Sequence, residues 1–226
     1  MKLQRLTGGL LVLALPLFLS ACKPQESKAV DPETGSNAAS TDMSEAEAAC
    51  CAEDALAAAG VLPDTSLYNL ESRWTDQVGI EHELNDFRGT VTIAAMIFTH
   101  CEYACPRIIA DLKAIEGTLT KDDLSNVKWL LLSMDSDRDK PAVLKAYAER
   151  NNLDTDRWTL MHGDDSAVRE LGATLGVRYK KDAKGNYAHS NLITLLDKEG
   201  RISHQLEGLG ANNQETVTAV QALIQP

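Results

Sequence analysis

Two apolar runs of strand length decide most of what this 226-residue chain can become. Residues 90–98 read TVTIAAMIF and residues 127–134 read VKWLLLSM. Neither run alternates apolar with polar residues, so neither suits a strand with one face in water. A near-continuous apolar run of this length is the pattern of a strand covered on both faces. Between the two runs, Pro106 stands at the first turn of a predicted helix. Ile108, Leu112, Ile115 and Leu119 recur at helical spacing and line one of its faces.

The remaining segments extend this order. Residues 66–74 and 80–87 suggest a hairpin. Residues 135–140 form a polar loop, and Pro141 opens a helix carrying Val143, Leu144 and Tyr147. A short strand near 158–161 precedes a helix with Val168, Leu171 and Leu175. Residues 191–196 and 201–206 flank Asp197-Lys198-Glu199-Gly200, a hairpin turn. Asn212 or Asn213 caps a last helix bearing Val217, Val220 and Leu223. The predicted fold class is α/β, a mixed sheet covered by helices. A thioredoxin-like fold fits that order. It occupies residues 66–226, roughly 160 residues, which is enough to bury one core.

The N-terminal part has a different character. Residues 1–5 are short and basic, residues 10–19 are apolar, and Ser20 and Ala21 follow. This is the pattern of a secretory signal, and the apolar run is shorter than the roughly 20 residues that span a bilayer. Leu19-Ser20-Ala21-Cys22 resembles the bacterial lipobox. By that resemblance Cys22 is lipidated and becomes the mature N-terminus of a protein anchored in the cell envelope, facing the periplasm. The alternative is a plain secreted protein with an incidental cysteine. Lys23 in place of Asp resembles sorting to the outer membrane. Residues 23–65 read as an acidic tether with a short Ala-rich helix over 44–59. Nine acids against Lys23 and Lys28 give this segment -7 of the formal net charge of -11. Residues 1–22 carry +2, so residues 66–226 carry -6. A chain of this sign is no sequence-independent nucleic-acid binder.

The chemistry concentrates where the first buried strand meets its helix, at Thr99-His100-Cys101-Glu102-Tyr103-Ala104-Cys105-Pro106. Strand ends of α/β sheets line the crevice where ligands bind. Cys101 and Cys105, four apart, share a face if the first helical turn is formed, and a helix N-terminus lowers a cysteine pKa. Two such sulfurs can form a redox-active disulfide or hold one metal ion. As a structural staple the pair is poor, because closing a five-residue loop is worth only about 2 kcal/mol.

The motif resembles the signature Thr-x-Cys-x-x-x-Cys-Pro of the Sco/SenC family, matched by Thr99, Cys101, Cys105 and Pro106. The resemblance extends over most of residues 66–226, including the Asp-rich stretch from Ser133 to Pro141 and His189-Ser190. It implies a membrane-tethered, thioredoxin-like protein of cytochrome oxidase assembly. It further implies copper bound by Cys101, Cys105 and His189. Soft thiolates suit Cu(I), and an added imidazole lets the same site hold Cu(II). Ala188 stands where the family usually has an Asp, which puts any role of that carboxylate in doubt. The resemblance also assigns Asp135 a part in contacting a partner or orienting the site, although Asp135, Asp137 and Asp139 most simply form a solvated loop with a helix cap.

The other candidates are weaker. His100 adjoins Cys101 and competes with His189 through proximity alone. His82, His162 and His204 read as solvated or structural, and Met96, Met134 and Met161 as core packing. Cys50 and Cys51 lie in the 44–59 helix, where they can collect copper, pair with Cys101 or Cys105, link two molecules, or do nothing. Two function classes remain open. One is a copper metallochaperone for the binuclear copper centre of a respiratory oxidase. The other is a thiol–disulfide oxidoreductase acting on exported cysteine proteins without copper delivery. A thiol peroxidase, sharing the fold, is the least favoured.

Overall fold

A computed structural model describes residues 61–225. The export signal, Cys22, the tether up to residue 60 and Cys50 and Cys51 lie outside the described residues. Leu62 already packs against the core, and the carbonyl of Pro63 accepts hydrogen bonds from the Ser66 amide and the Asn69 side chain.

The first apolar run is β3, Val91–Ile97, with all seven residues buried. The second is β4, Val127–Ser133, and the two pair in parallel from Val91 with Val127 to Ile97 with Ser133. The helix between them, α1, spans Ala104–Thr118 and buries Cys105, Ile108, Ile109, Leu112 and Ile115. A short α2, Lys121–Ser125, is held by a capping box between Thr120 and Asp123.

The sheet then grows on both sides of this pair. β5, Trp158–Gly163, lies parallel to β4, preceded by α3, Pro141–Arg150. β8, Leu192–Leu196, and β9, Ile202–Glu207, form the closing hairpin, with β8 antiparallel to β3. β1, Arg73–Asp76, and β2, Glu81–Glu83, complete the other edge. The order is β2-β1-β5-β4-β3-β8-β9, a mixed sheet as expected. α4, Asp165–Leu175, follows β5, and α5, Gln214–Ile224, ends the described chain with Asn213 at its N-cap. Met96, Met134 and Met161 are core residues, and Trp129 stacks on Trp158 at 4.9 Å.

The N-terminal hairpin is shorter than its sequence suggests. Leu67–Asn69 and Leu84–Phe87 are 3-10 turns instead of strand. Ser66 accepts from the Tyr68 amide, and a Glu83–Asp86 capping box closes the second turn. These local side-chain bonds outcompete strand pairing. Gly200, in the predicted 197–200 turn, adopts φ +81°, and a Cβ there would meet the Tyr68 ring at 2.6 Å.

A separate two-stranded ribbon carries the distant histidine. It pairs β6, Tyr179–Lys181, with β7, Tyr187–His189, setting Tyr179 opposite His189. The ribbon has no apolar run to announce it, because its strands are short and largely exposed.

Candidate metal centre

β3 and β4 end side by side, and a buried carboxylate ties them. Asp139 is 0% exposed. It accepts from the Thr99 amide at 2.9 Å, the Thr99 hydroxyl at 2.5 Å and the Ser133 hydroxyl at 2.6 Å. Three donors hold the charge in place and fix the backbone just before Cys101. The Cys101 amide then donates to the Phe98 carbonyl at 3.2 Å, turning the chain toward α1.

The two cysteines differ in placement. α1 begins at Ala104, so Cys101 stands in the loop ahead of the helix and does not share its face. The sulfurs are coupled by another route. The Cys105 amide, in the first turn of α1, donates to Cys101 Sγ at 3.2 Å. Cys101 is half-buried, whereas Cys105 is fully buried and accepts from the Phe98 amide at 3.5 Å. Both are free thiols. The helix N-terminus does not lower Cys105 as expected. Burial pushes its thiol well above the ordinary range, and the Phe98 amide offsets this only in part.

His189 ends β7 and brings Nε2 to 4.0 Å from Cys105 Sγ. Its Nδ1 lies 3.0 Å from the Ser190 carbonyl, which can only accept. Nδ1 therefore carries the proton and Nε2 presents its lone pair toward the sulfur. This backbone carbonyl orients the ring beside Ala188, where no carboxylate is present. Burial lowers the histidine pKa, keeping the ring neutral, and Phe98 meets it edge-on at 5.9 Å. Cys101, Cys105 and His189 bring their ligand atoms within 4.8 Å of one another.

The Asp-rich loop is not the solvated loop expected. Asp135 and Asp139 are 0% exposed and only Asp137 faces solvent. None of them caps α3, whose N-cap is Lys140. Instead the loop grips the ribbon. Arg138 donates to Asp135 and to the Gly185 carbonyl, and Lys181 pairs with Asp137 at 2.8 Å. Tyr187 packs on Phe98 at 5.2 Å. Asp135 thus supports the ribbon that carries His189, through Arg138 and through Lys181, whose ammonium lies 4.0 Å from its carboxylate.

His100, Asp135 and Asp139 form a second cluster within 4.8 Å. Protein donors already engage both Asp139 oxygens and one Asp135 oxygen, so this is a polar frame and not a free ligand set. The His100 ring is half exposed, 3.1 Å from the Thr99 hydroxyl. His82 is structural, 3.1 Å from Asp76. Sequence reading missed Arg138 and the Ser190 carbonyl. The first had only its loop position as a signal, and a backbone atom has none.

The SCO1/SenC family model matches residues 64–225. This chain belongs to the SCO1/SenC family. The SCO1 protein homolog of Bacillus subtilis (strain 168) is 26% identical over 137 residues, covering 59% of this chain and 70% of that protein. ScoI of Bradyrhizobium japonicum, solved with copper bound, is 24% identical with a TM-score of 0.55, covering 68% of this chain and 97% of that one. BsSco, described as having a disulfide switch and as a member of the Sco family of cytochrome c oxidase assembly proteins, is 25% identical with a TM-score of 0.60. That match covers 69% of this chain and 93% of BsSco. The likeness to the SCO1/SenC structures establishes the thioredoxin-like fold that the element order implied.

Proposed function

We propose that this protein is a copper metallochaperone serving the binuclear copper centre of a respiratory cytochrome c oxidase. Copper is its cargo, and Cys101, Cys105 and His189 are the residues that take it. One observation carries the reading. His189 Nε2, freed by the Nδ1 bond to Ser190, points its lone pair at Cys105. Thiol exchange can proceed through the two sulfurs alone, whereas Cu(II) gains from the third, nitrogen donor. Two sulfurs and one nitrogen form a soft-to-borderline donor set, which fits copper in both oxidation states. The relatives' copper-bound form and their role in oxidase assembly support it. The test is copper loading of the protein lacking residues 1–22, read by metal content and absorbance. At least one copper per chain with a thiolate charge-transfer band is expected, and no bound copper would sink the reading.

The second reading, a thiol–disulfide oxidoreductase, also has an observation behind it. The Cys105 amide donates to Cys101 Sγ, the more accessible of the two sulfurs and the one a partner disulfide could reach. Both roles can share one site, because a Cys101–Cys105 disulfide excludes metal. On this proposal Cys22 carries the lipid anchor that holds the domain at the envelope membrane, so Cys22→Ser should appear in the soluble fraction. A mutant that still sediments with membranes would remove the anchor from the proposal. Asp135 acts as a support for the His189 ribbon. Cys50 and Cys51 are accessory thiols whose replacement should alter stoichiometry or dimer formation only.

A further inference from the structure

The β6–β7 ribbon has two unlike faces. Tyr179 stands opposite His189, and Lys181 opposite Tyr187. These four are turned to the domain. Tyr179 and Tyr187 pack against the core, His189 reaches Cys105, and Lys181 is engaged by Asp137 and the Tyr187 ring. Side chains alternate along a strand, so Lys180 and its cross-strand neighbour Ala188 take the other face. Both are exposed, and Ala188 has nothing to offer a charge.

Two more cations belong to this element. Arg178 precedes β6 and Lys184 lies in the turn, and both are exposed. The side chains of Arg178, Lys180 and Lys184 make no ion pair and no hydrogen bond among the described residues. Asp182, the one carboxylate of residues 178–189, accepts from the amides of Lys184 and Asn186 through its Oδ1. The base of the ribbon is closed by Ser190, whose amide donates to the Arg178 carbonyl and whose hydroxyl accepts from the Arg178 amide. Ser190 is also the residue whose carbonyl holds the His189 ring. The cations are thus mounted on the strand pair that supplies the nitrogen donor. Their sign runs against the rest of the domain, since residues 66–226 carry a formal charge of -6. Like charges gathered on one short ribbon repel one another, and an anionic surface laid over them relieves that repulsion.

We propose that this outward face docks the protein partner of the metal centre, and that the partner meets Arg178, Lys180 and Lys184 with the carboxylates of an acidic segment. The proposal rests on the metallochaperone reading in taking that partner to be the recipient of the cargo. Lys180 and His189 lie on opposite faces of one narrow ribbon, so the recipient must cover the outer face and still reach the inner one. A polypeptide can wrap the ribbon edge to do both, whereas a flat bilayer covers the outer face only. Complementary charge of this kind sets the encounter rate and the orientation of the partner more than the affinity.

The probes are two fluorescent peptides of one Gly/Ser sequence, the first carrying four Glu and the second four Gln in their place. A chain of net charge -11 should repel the first unless a local face attracts it. At about 20 mM salt the Glu peptide should bind the full-length protein roughly tenfold more tightly than the Gln peptide, the factor that two or three exposed ion pairs allow, and near about 0.5 M salt the difference should vanish. Carbodiimide coupling, which joins an amine directly to a carboxylate, should link the Glu peptide at Lys180 and Lys184. The double variant Lys180→Gln/Lys184→Gln should lose the preference and keep its urea midpoint, because neither side chain holds the fold. Equal binding of the two peptides, or a preference that survives the double variant, would overturn the proposal. Coupling of these lysines to the chain's own acids would assign the face to the chain itself and overturn it too. Binding to phosphatidylglycerol vesicles that the double variant loses, with no peptide preference, would assign it to lipid. Copper titration of the same proteins keeps the two readings apart. Copper loading without the peptide preference refutes only the docking face, and the preference without copper loading refutes only the metallochaperone.

Discussion

The sulfurs and the imidazole reach one point from unlike supports. Cys105 sits in the first turn of α1, behind a strand whose seven residues are all buried, and Asp139 locks the intervening turn with three hydrogen bonds. His189 ends a ribbon of two three-residue strands that expose much of their length. Its moorings include Arg138 on Gly185, Lys181 on Asp137 and the contacts of the Tyr187 and His189 rings with Phe98. Elements with few buried contacts open at lower free energy than core strands. The thiols therefore form a rigid half-site and the imidazole an adjustable one. On the proposed copper reading, Cu(I) needs only the sulfurs while Cu(II) gains most from nitrogen, so a movement of the ribbon would change the preference of the site.

Cys105→Ser attacks the rigid half and should have the largest effect. Both copper states should lose affinity by more than about 100-fold, since even an outer-sphere partner costs about 10–100-fold. A competitor titration measures it, and near-natural Cu(I) affinity would place the metal elsewhere. His189→Ala attacks the adjustable half alone. Cu(II) should weaken far more than Cu(I), and the electron paramagnetic resonance spectrum should change. An unchanged spectrum would make His100 the ligand to test.

Asp139→Asn loosens the frame under the thiols. It replaces an acceptor of three bonds by a group that accepts with one oxygen only, so stability should fall by about 1–3 kcal/mol in urea unfolding. The two copper affinities should fall together. A selective loss of Cu(II) would mean that Asp139 serves the ribbon instead. Arg138→Gln has the smallest expected effect and the sharpest meaning. It frees Gly185 and Asp135, and should weaken Cu(II) by about tenfold with Cu(I) unchanged. Equal effects on both states would erase the distinction between the two halves.

Tyr147 and Asp139 mark the line between what residues announce and what only their assembly reveals. Tyr147 reads as one apolar position of the helix after Pro141, and it is indeed buried there. Its hydroxyl, buried with no hydrogen-bond partner among the described residues, follows from where α3 packs. Asp139 reads as loop, yet the ends of β3 and β4 close over it. The Cys105 thiol departs from the lowered pKa expected at a helix N-terminus for the same reason, because helix position is local and burial is not.

The strand character of 90–98 and 127–134, the helix opened by Pro106, the closing hairpin and the Cys101–Cys105 spacing were determined by the sequence itself. Each depends on side chains within a few residues of one another, where period and turn chemistry act. The approach of His189 to Cys105, 84 residues apart, was decided by tertiary structure. It requires β8 to lie antiparallel against β3, so that the ribbon just before β8 emerges at the end of β3 where the thiols stand. That pairing is won by apolar burial across the whole sheet, and the polar atoms that do the chemistry are carried to one another by it.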